Sequence, residues 1–144
     1  LGFLMAELTC QFVRPDKLLY EGTVESLILA SADGEYGVWP GHAPEIIALG
    51  DGVVRLHMPH PESEEESTTK IVISGGYAEI DPTGVIILAD HARRVDDIDA
   101  DVVRETRDDV IDQMLSLPED DNRRAYYAKK IDWCNLLLKQ VVEE

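Results

Sequence analysis

Residues 70 to 89 read Lys70-Ile-Val-Ile-Ser-Gly-Gly-Tyr-Ala-Glu-Ile-Asp-Pro-Thr-Gly-Val-Ile-Ile-Leu-Ala89. Three β-forming runs, 70–74, 77–80 and 84–89, are separated by Gly75-Gly76 and by Asp81-Pro-Thr-Gly84. The runs are short, rich in β-branched residues and bounded by turn formers, which favours strands over helices. The paired glycines mark a strand bend or a turn.

Working outward, the same texture recurs upstream. Leu8-Thr-Cys-Gln-Phe-Val13 alternates, and so do residues 22–29 and 52–58. Pro15-Asp16, Asp33-Gly34 and Asp51-Gly52 supply turn signals between them. Short strands at such spacing predict an antiparallel sandwich or flattened barrel. Two stretches read as loops. Residues 33–44 hold three glycines and two prolines around Tyr36-Gly-Val-Trp39, which predicts a tight, fixed surface loop built for recognition. Residues 59–69 are polar, strongly acidic and without apolar period, which predicts an exposed loop between two strands.

The period changes near Asp96. Asp97-Ile98-Asp99 offers a helix N-cap. In the helix that follows, Val103, Val110, Met114 and Leu117 fall on one face, with Asp101, Glu105, Asp108 and Asp112 opposite. Leu117-Pro118 ends it, and Pro118 is placed to open a second helix, with Glu119, Asp120 and Asp121 in its first turn. That helix carries Tyr127, Ile131, Cys134, Leu138 and Val141 as an apolar stripe, and Tyr126, Tyr127 and Trp133 are expected between the helices. The fold class is therefore mixed β plus α: an N-terminal antiparallel β-sandwich over 5–95, then a C-terminal two-helix antiparallel hairpin over 96–142. Met5 reads as the natural start, with Leu1 to Leu4 upstream of it.

Composition narrows the chemistry. The chain has 144 residues, 29 acidic and 13 basic, for a net charge of −16. Such a chain is not built to bind nucleic acid, which needs clustered Lys and Arg, and a basic protein partner is its simplest complement. No apolar run reaches the length of a membrane span, so the chain reads as soluble, with membrane association only through partners. Cys10 and Cys134 are far apart, which favours reduced thiols over a disulfide framework. The sequence predicts no catalytic residue, no cofactor and no metal. His57-x-x-His60 beside an acidic loop is too loosely spaced for a preorganised metal site, and Asp90-His91 has no nucleophile in a recognisable turn nearby. Gly75-Gly76 lacks the Lys-Ser/Thr of a phosphate loop.

These residues together resemble a family. Gly34-Glu-Tyr-Gly-Val-Trp-Pro-Gly-His-Ala-Pro44 resembles the Gly-acidic-x-Gly-Ile-x-Pro-Gly-His-Ala-Pro segment of the epsilon subunit of bacterial F-type ATP synthase. Ile73-Ser-Gly-Gly-Tyr-Ala-Glu-Ile80 is similar to its Ser-Gly-Gly-hydrophobic-x-Glu-Val strand, and Val85-Ile-Ile-Leu-Ala-Asp-His-Ala92 to its Val-Thr-Val-Leu-Ala-Asp-x-Ala strand. Asp97-Ile98-Asp99 matches the opening of its helical hairpin. Order and spacing agree from about Met5 to Leu138.

The resemblance implies a ten-stranded sandwich with two helices. It also implies a non-catalytic rotor subunit of a proton-translocating synthase. This subunit binds gamma and the c-ring on the cytoplasmic face of the cell membrane and couples rotation to ATP synthesis. The c-ring contact carries over to Glu35, Tyr36 and His42. A hairpin that reaches the catalytic alpha and beta subunits to restrain hydrolysis carries over to Arg123, Arg124, Lys129 and Lys130. Some members bind ATP through an Ile-Asp-x-x-Arg-Ala motif. Ile98 and Asp99 match it, but Val102 and Val103 stand at the Arg-Ala positions, so no ATP site is expected. The rival reading is a stand-alone acidic β-sandwich module that binds protein.

Overall fold

The computed structural model describes residues 7–141; the expected start at Met5 and the hairpin's end at Val142 lie outside the described residues. Eight strands come first: β1 (Leu8–Arg14), β2 (Lys17–Val24), β3 (Ser26–Ser31), β4 (Gly34–Val38), β5 (Glu45–Ala48), β6 (Asp51–His57), β7 (Thr68–Asp81) and β8 (Gly84–Arg94). A 3-10 turn at Val95–Asp97 precedes α1 (Ala100–Leu115) and α2 (Arg123–Lys139). The chain divides into two compact units between Arg94 and Val95. Mixed β plus α, with a sandwich followed by two helices, is what the sequence predicts. The strand count is eight among the described residues, against the ten the resemblance implies.

The long strands β7 and β8 organise the sandwich. The first half of β7 pairs with β6, and its second half pairs with β5. Beyond β6 lie β3 and β4, and beyond β8 lie β1 and β2. All pairs are antiparallel except β1 with β8, which is parallel. The inner faces meet in one core, whose largest fully buried members include Phe12, Leu27, Leu29, Leu56, Ile71, Ile73 and Ile87.

Gly75 and Gly76 are not a break between two strands but the bend inside one. Pairing of β7 with β8 holds one register on both sides of them. The residues it gives to the sandwich core nevertheless shift, from Ile71 and Ile73 before the glycines to Ala78 and Ile80 after them. A strand can change its buried parity only by turning over, and that is how β7 serves both layers. At Gly76, φ is +116°, and an added Cβ would lie against Leu88 O and 2.8 Å from Ala89 Cα. Asp81-Pro-Thr-Gly84 is a tight turn. Asp81 Oδ1 accepts from Thr83 N (2.8 Å), Thr83 Oγ1 (3.1 Å) and Gly84 N (2.9 Å), which lowers the Asp81 carboxyl below its usual range.

Other elements differ from expectation. Residues 22–29 are two strands, because the chain breaks at Glu25, between β2 and β3. Part of the expected 33–44 loop is strand β4, since Tyr36 and Val38 alternate inward against Leu29 and Leu27 of β3. Of the expected loop 59–69, residues 59–67 connect β6 to β7, with a turn closed by Glu66 N to Ser63 O and Ser67 N to Glu64 O, both 3.2 Å, while Thr68 and Thr69 already belong to β7.

In the second unit, Asp99 caps α1 as expected, its carboxylate accepting from Asp101 N (3.1 Å) and Val102 N (3.2 Å). Pro118 does not open α2. Residues 118–121 form a turn, closed by Asp121 N to Pro118 O at 3.0 Å, and α2 begins at Arg123. The formal N-cap, Asn122, makes no side-chain capping bond; Asp121 Oδ1 accepts from Arg123 N at 2.8 Å instead. Val103, Val110, Cys134, Leu137 and Leu138 are buried. The expected aromatic cluster does not form as a core, because Tyr126 is 59% exposed. Its ring meets Tyr127 edge-on at 5.5 Å and lies 5.1 Å beneath Lys130 Nζ.

Candidate functional site

The first candidate is the turn after β4. Alternation on β4 sends Tyr36 and Val38 inward and leaves Glu35 and Gly37 on the outer face. Tyr36 packs its ring against the core and carries its hydroxyl to the turn. There Tyr36 Oη donates to Glu45 Oε1 at 2.5 Å and meets His42 Nε2 at 2.9 Å. The other ring nitrogen of His42, Nδ1, lies 2.7 Å from Ala43 O. A carbonyl only accepts, so Nδ1 carries a proton. The Glu45 bond holds the Tyr36 hydroxyl above its usual range. Gly41, at φ +91°, lets the chain reverse, and its N–H donates to Pro82 O at 2.8 Å, fastening this turn to the β7–β8 turn. Glu35 stands on the outer face of β4, where Arg55 Nη1 donates to its Oε2 at 2.6 Å.

The three residues expected on this turn therefore divide in two. Glu35 is open, with a side chain 65% exposed. Tyr36 and His42 are engaged with each other and with Glu45. Sequence reasoning missed Arg55, Glu45 and Trp39. Arg55 and Glu45 are distant in sequence or outside the segment that carried the resemblance. Trp39 was within the quoted segment, and its 58% exposure is a property of the fold.

The second candidate is the outer face of β5, β7, β8, β1 and β2. Two rows of side chains cross these five strands in register. One runs Ile46, Glu79, Ile86, Gln11, Glu21; the next runs Ala48, Tyr77, Leu88, Val13, Leu18. Ile46, Tyr77, Ile86 and Leu18 are exposed large apolar side chains, at 68, 46, 38 and 48%. A groove of about 940 Å³ lies along this face. Its walls include Glu21, Glu45, Glu79 and Asp81 and no Lys or Arg. An apolar floor with acidic walls suits an apolar, basic protein segment.

The third candidate is the hairpin. Arg123 Nη2 and Nε hold Asp121 at 2.8 and 3.1 Å, and this contact draws the Asp121 carboxyl down to about 2. Arg124 donates twice to Leu117 O, at 2.9 and 3.3 Å, joining the start of α2 to the end of α1. Lys129 and Lys130 are exposed. Of the partly kept ATP motif, Asp99 is engaged in capping and Val102 is 56% exposed, with no cation beside it in the motif.

The histidines do not gather. His57 Nδ1 bonds Ser26 Oγ at 2.9 Å, while His60 Nε2 is 4.0 Å from Glu7. Among the described residues, no group of three or more His, Cys, Asp or Glu could hold a metal ion, and no helix is long and apolar enough to cross a membrane. Cys10 and Cys134 are both buried, and burial pushes the Cys10 thiol up to about 12.

The described residues thus form a sandwich with exposed outer surfaces, followed by a helical pair. Comparison with known proteins agrees. Residues 7–95 match the family described as ATP synthase, Delta/Epsilon chain, beta-sandwich domain. The chain is 38% identical over 96 residues to the ATP synthase epsilon chain of Granulibacter bethesdensis, covering 67% of each chain. It is 36% identical over 118 residues to that of Acinetobacter baylyi, covering 81% of this chain and 80% of the other. In fold it is similar to a chain of the Euglena gracilis mitochondrial ATP synthase, solved with its OSCP, F1 and c-ring, with a TM-score of 0.67 at 22% identity over 94% of this chain and 82% of that one. A chain of the Tetrahymena thermophila central stalk and c-ring gives 0.54 at 12% identity, over 92% and 94%. The chain belongs to the ATP synthase delta/epsilon family. It is a stalk-type subunit and not a catalytic one.

Proposed function

We propose that this chain sits at the foot of the central stalk of a proton-translocating F-type ATP synthase, on the cytoplasmic face of the membrane. In this reading the sandwich, taken as residues 5–95, grips gamma and meets the c-ring, and the hairpin, 96–142, restrains ATP hydrolysis at the alpha and beta subunits. The two crossed rows on the outer face carry the reading. They bring Ile46, Ile86, Tyr77 and Leu18 to one exposed face beside Glu21, Glu45, Glu79 and Asp81, a surface suited to a basic, apolar gamma segment. Glu35 faces the c-ring, while Tyr36 and His42 hold the turn that presents it. In the hairpin, Lys129 and Lys130 are exposed and open to a partner, as Lys139 is. Arg123 and Arg124 are engaged by Asp121 and Leu117 and shape the hairpin.

The test is co-purification with gamma. The wild-type chain should form a complex at micromolar concentration. Ile46→Asp with Ile86→Asp, two exposed changes that leave the core intact, should weaken it at least about tenfold. Absence of any complex with the wild-type chain overturns the reading.

A further inference from the structure

We infer that Tyr36, His42 and Glu45 form a proton-operated clasp on the turn between β4 and β5. It closes fully on the acid side of neutrality and loses one of its bonds on the alkaline side. The clasp is a property of the chain alone and stands apart from the stalk reading above.

Protons are the limiting part. His42 Nδ1 lies 2.7 Å from Ala43 O, which only accepts, so Nδ1 is a donor. Nε2 faces Tyr36 Oη at 2.9 Å, and the same hydroxyl oxygen faces Glu45 Oε1 at 2.5 Å. Each of these two contacts needs a proton between its atoms. A neutral imidazole protonated at Nδ1 brings none, and an ionised Glu45 brings none. The phenol brings one, and the Glu45 bond, which holds the Tyr36 hydroxyl above its usual range, keeps it there. Both contacts are hydrogen bonds only when the trio takes up a second proton. Written on Nε2, that proton gives an imidazolium that donates to Tyr36, which donates to the carboxylate. Written on Glu45, the same bonds run the other way, so the proton belongs to the set. Without it, Tyr36 serves one acceptor, and the other loses its donor.

The loss matters because the trio is partly enclosed. The His42 side chain is 21% exposed, with Nε2 3.8 Å from Glu45 Oε1, so water replaces a missing partner poorly. The rest of the turn, Trp39, Pro40, Gly41, Ala43 and Pro44, adds no titratable group, and β3 behind β4 carries none. The β7–β8 turn, tied on by Gly41 N–H to Pro82 O, brings Asp81, and β7 brings Glu79 beside β5. Both are acidic. The cation of this region, Arg55, is held by Glu35 on the outer face of β4, whereas Tyr36 points inward. Closing the clasp binds a proton, so closure contributes stability on the acid side that is lost as pH rises. Histidine chemistry sets the window, between about pH 5 and 8. What loosens is limited. The Tyr36 ring stays packed on the core, and the Gly41–Pro82 bond joins two backbone groups that do not titrate. Loss of the proton therefore frees the turn and the start of β5 and leaves the sheet intact.

Urea unfolding of the full chain, followed through the amide signals of β3 to β6, tests the clasp at about pH 5.5 and about pH 8.5. Tyr36→Phe keeps the packed ring and removes both bonds. It should raise the unfolding constant about tenfold at the lower pH and about threefold or less at the higher. His42→Gln takes up no proton, and in that background the effect of Tyr36→Phe should be the same at both pH values. NMR of the imidazole nitrogens in the wild-type chain reads the protons directly. Both nitrogens of His42 should be protonated at the lower pH, and Nδ1 alone at the higher. A Tyr36→Phe effect equal within twofold at the two pH values overturns the inference. So does a neutral His42 that carries its proton on Nε2, and this second measurement decides by itself if Tyr36→Phe fails to fold. Neither result bears on gamma binding, so the stalk reading stands or falls separately.

Discussion

Asp121 shows how one residue can replace a whole set of signals. Three acidic residues precede α2, and Pro118 suggests an early start, yet only Asp121 accepts the first N–H and the Arg123 guanidinium together. Its carboxyl is drawn from an ordinary 3.8 to about 2, chiefly by the side-chain bond with Arg123 and then by the backbone bond. A depressed carboxylate contributes stability that is fully present above the ordinary value and lost as pH falls through the folded one. The thermal midpoint of the hairpin should therefore fall as pH drops from about 4 to about 2. Asp121→Asn should lower the midpoint at neutral pH and remove that part of the acid dependence. Circular dichroism melts of both proteins at a series of pH values check this. Parallel acid curves for the two would show that the contact is worth nothing in solution.

At the scale of elements, the bend in β7 carries the most structural consequence. Gly76 combines a left-handed φ of +116° with the backbone of Leu88 and Ala89 against the place a Cβ would take. Gly76→Ala adds a methyl group where neither flexible side chains nor alternative rotamers can make room. A cost of about 2–4 kcal/mol is expected, from backbone strain plus displacement of β8. Urea unfolding checks it, and a change below about 0.5 kcal/mol would contradict the close approach.

The glycine pair was legible as a bend, and Asp81-Pro-Thr-Gly84 as a turn, because both are local chemistry. The cap at Asp99 was legible for the same reason. What the sequence hid depended on distant partners. In β2, no residue before Val24 is buried, so no clean alternation marked it. Four-residue β5 is too short for a period and is defined by its pairing with β7. Two glycines disguised β4 as a loop until Tyr36 and Val38 met Leu29 and Leu27 across the ladder. The candidate site followed the same rule. The motif exposed Glu35, Tyr36 and His42 as a group, but Arg55 and Glu45 reach them only through the fold. The rows on the outer face come from five strands, two of which were not anticipated.

At the scale of the whole molecule, the chain pairs a sandwich that has a large core with a helical unit that buries few side chains. Val103, Val110, Cys134, Leu137 and Leu138 are the buried residues from position 95 onward among the described residues. Between the helices, Arg107 bonds Asn135 at 3.2 Å, and Arg124 bonds the Leu117 carbonyl. A helical pair this small is marginal by itself, so partners and conditions can shift its state by a few kcal/mol. That is the energetic range of a regulatory element, whereas the sandwich is suited to constant grip and transmission of torque. If the hairpin restrains hydrolysis, its removal should release that restraint without weakening assembly. The chain ended after Asp99 should still bind gamma, because every residue of the two crossed rows is retained. ATP hydrolysis by the reconstituted head complex should then rise by about fivefold or more relative to the full chain, the lower end of ordinary coupling between sites. Lys129→Ala with Lys130→Ala should give part of that rise, because both are exposed cations of α2, and added salt should diminish the difference. Equal rates with the full and shortened chains would remove the inhibitory role and leave the sandwich as the functional part of the molecule.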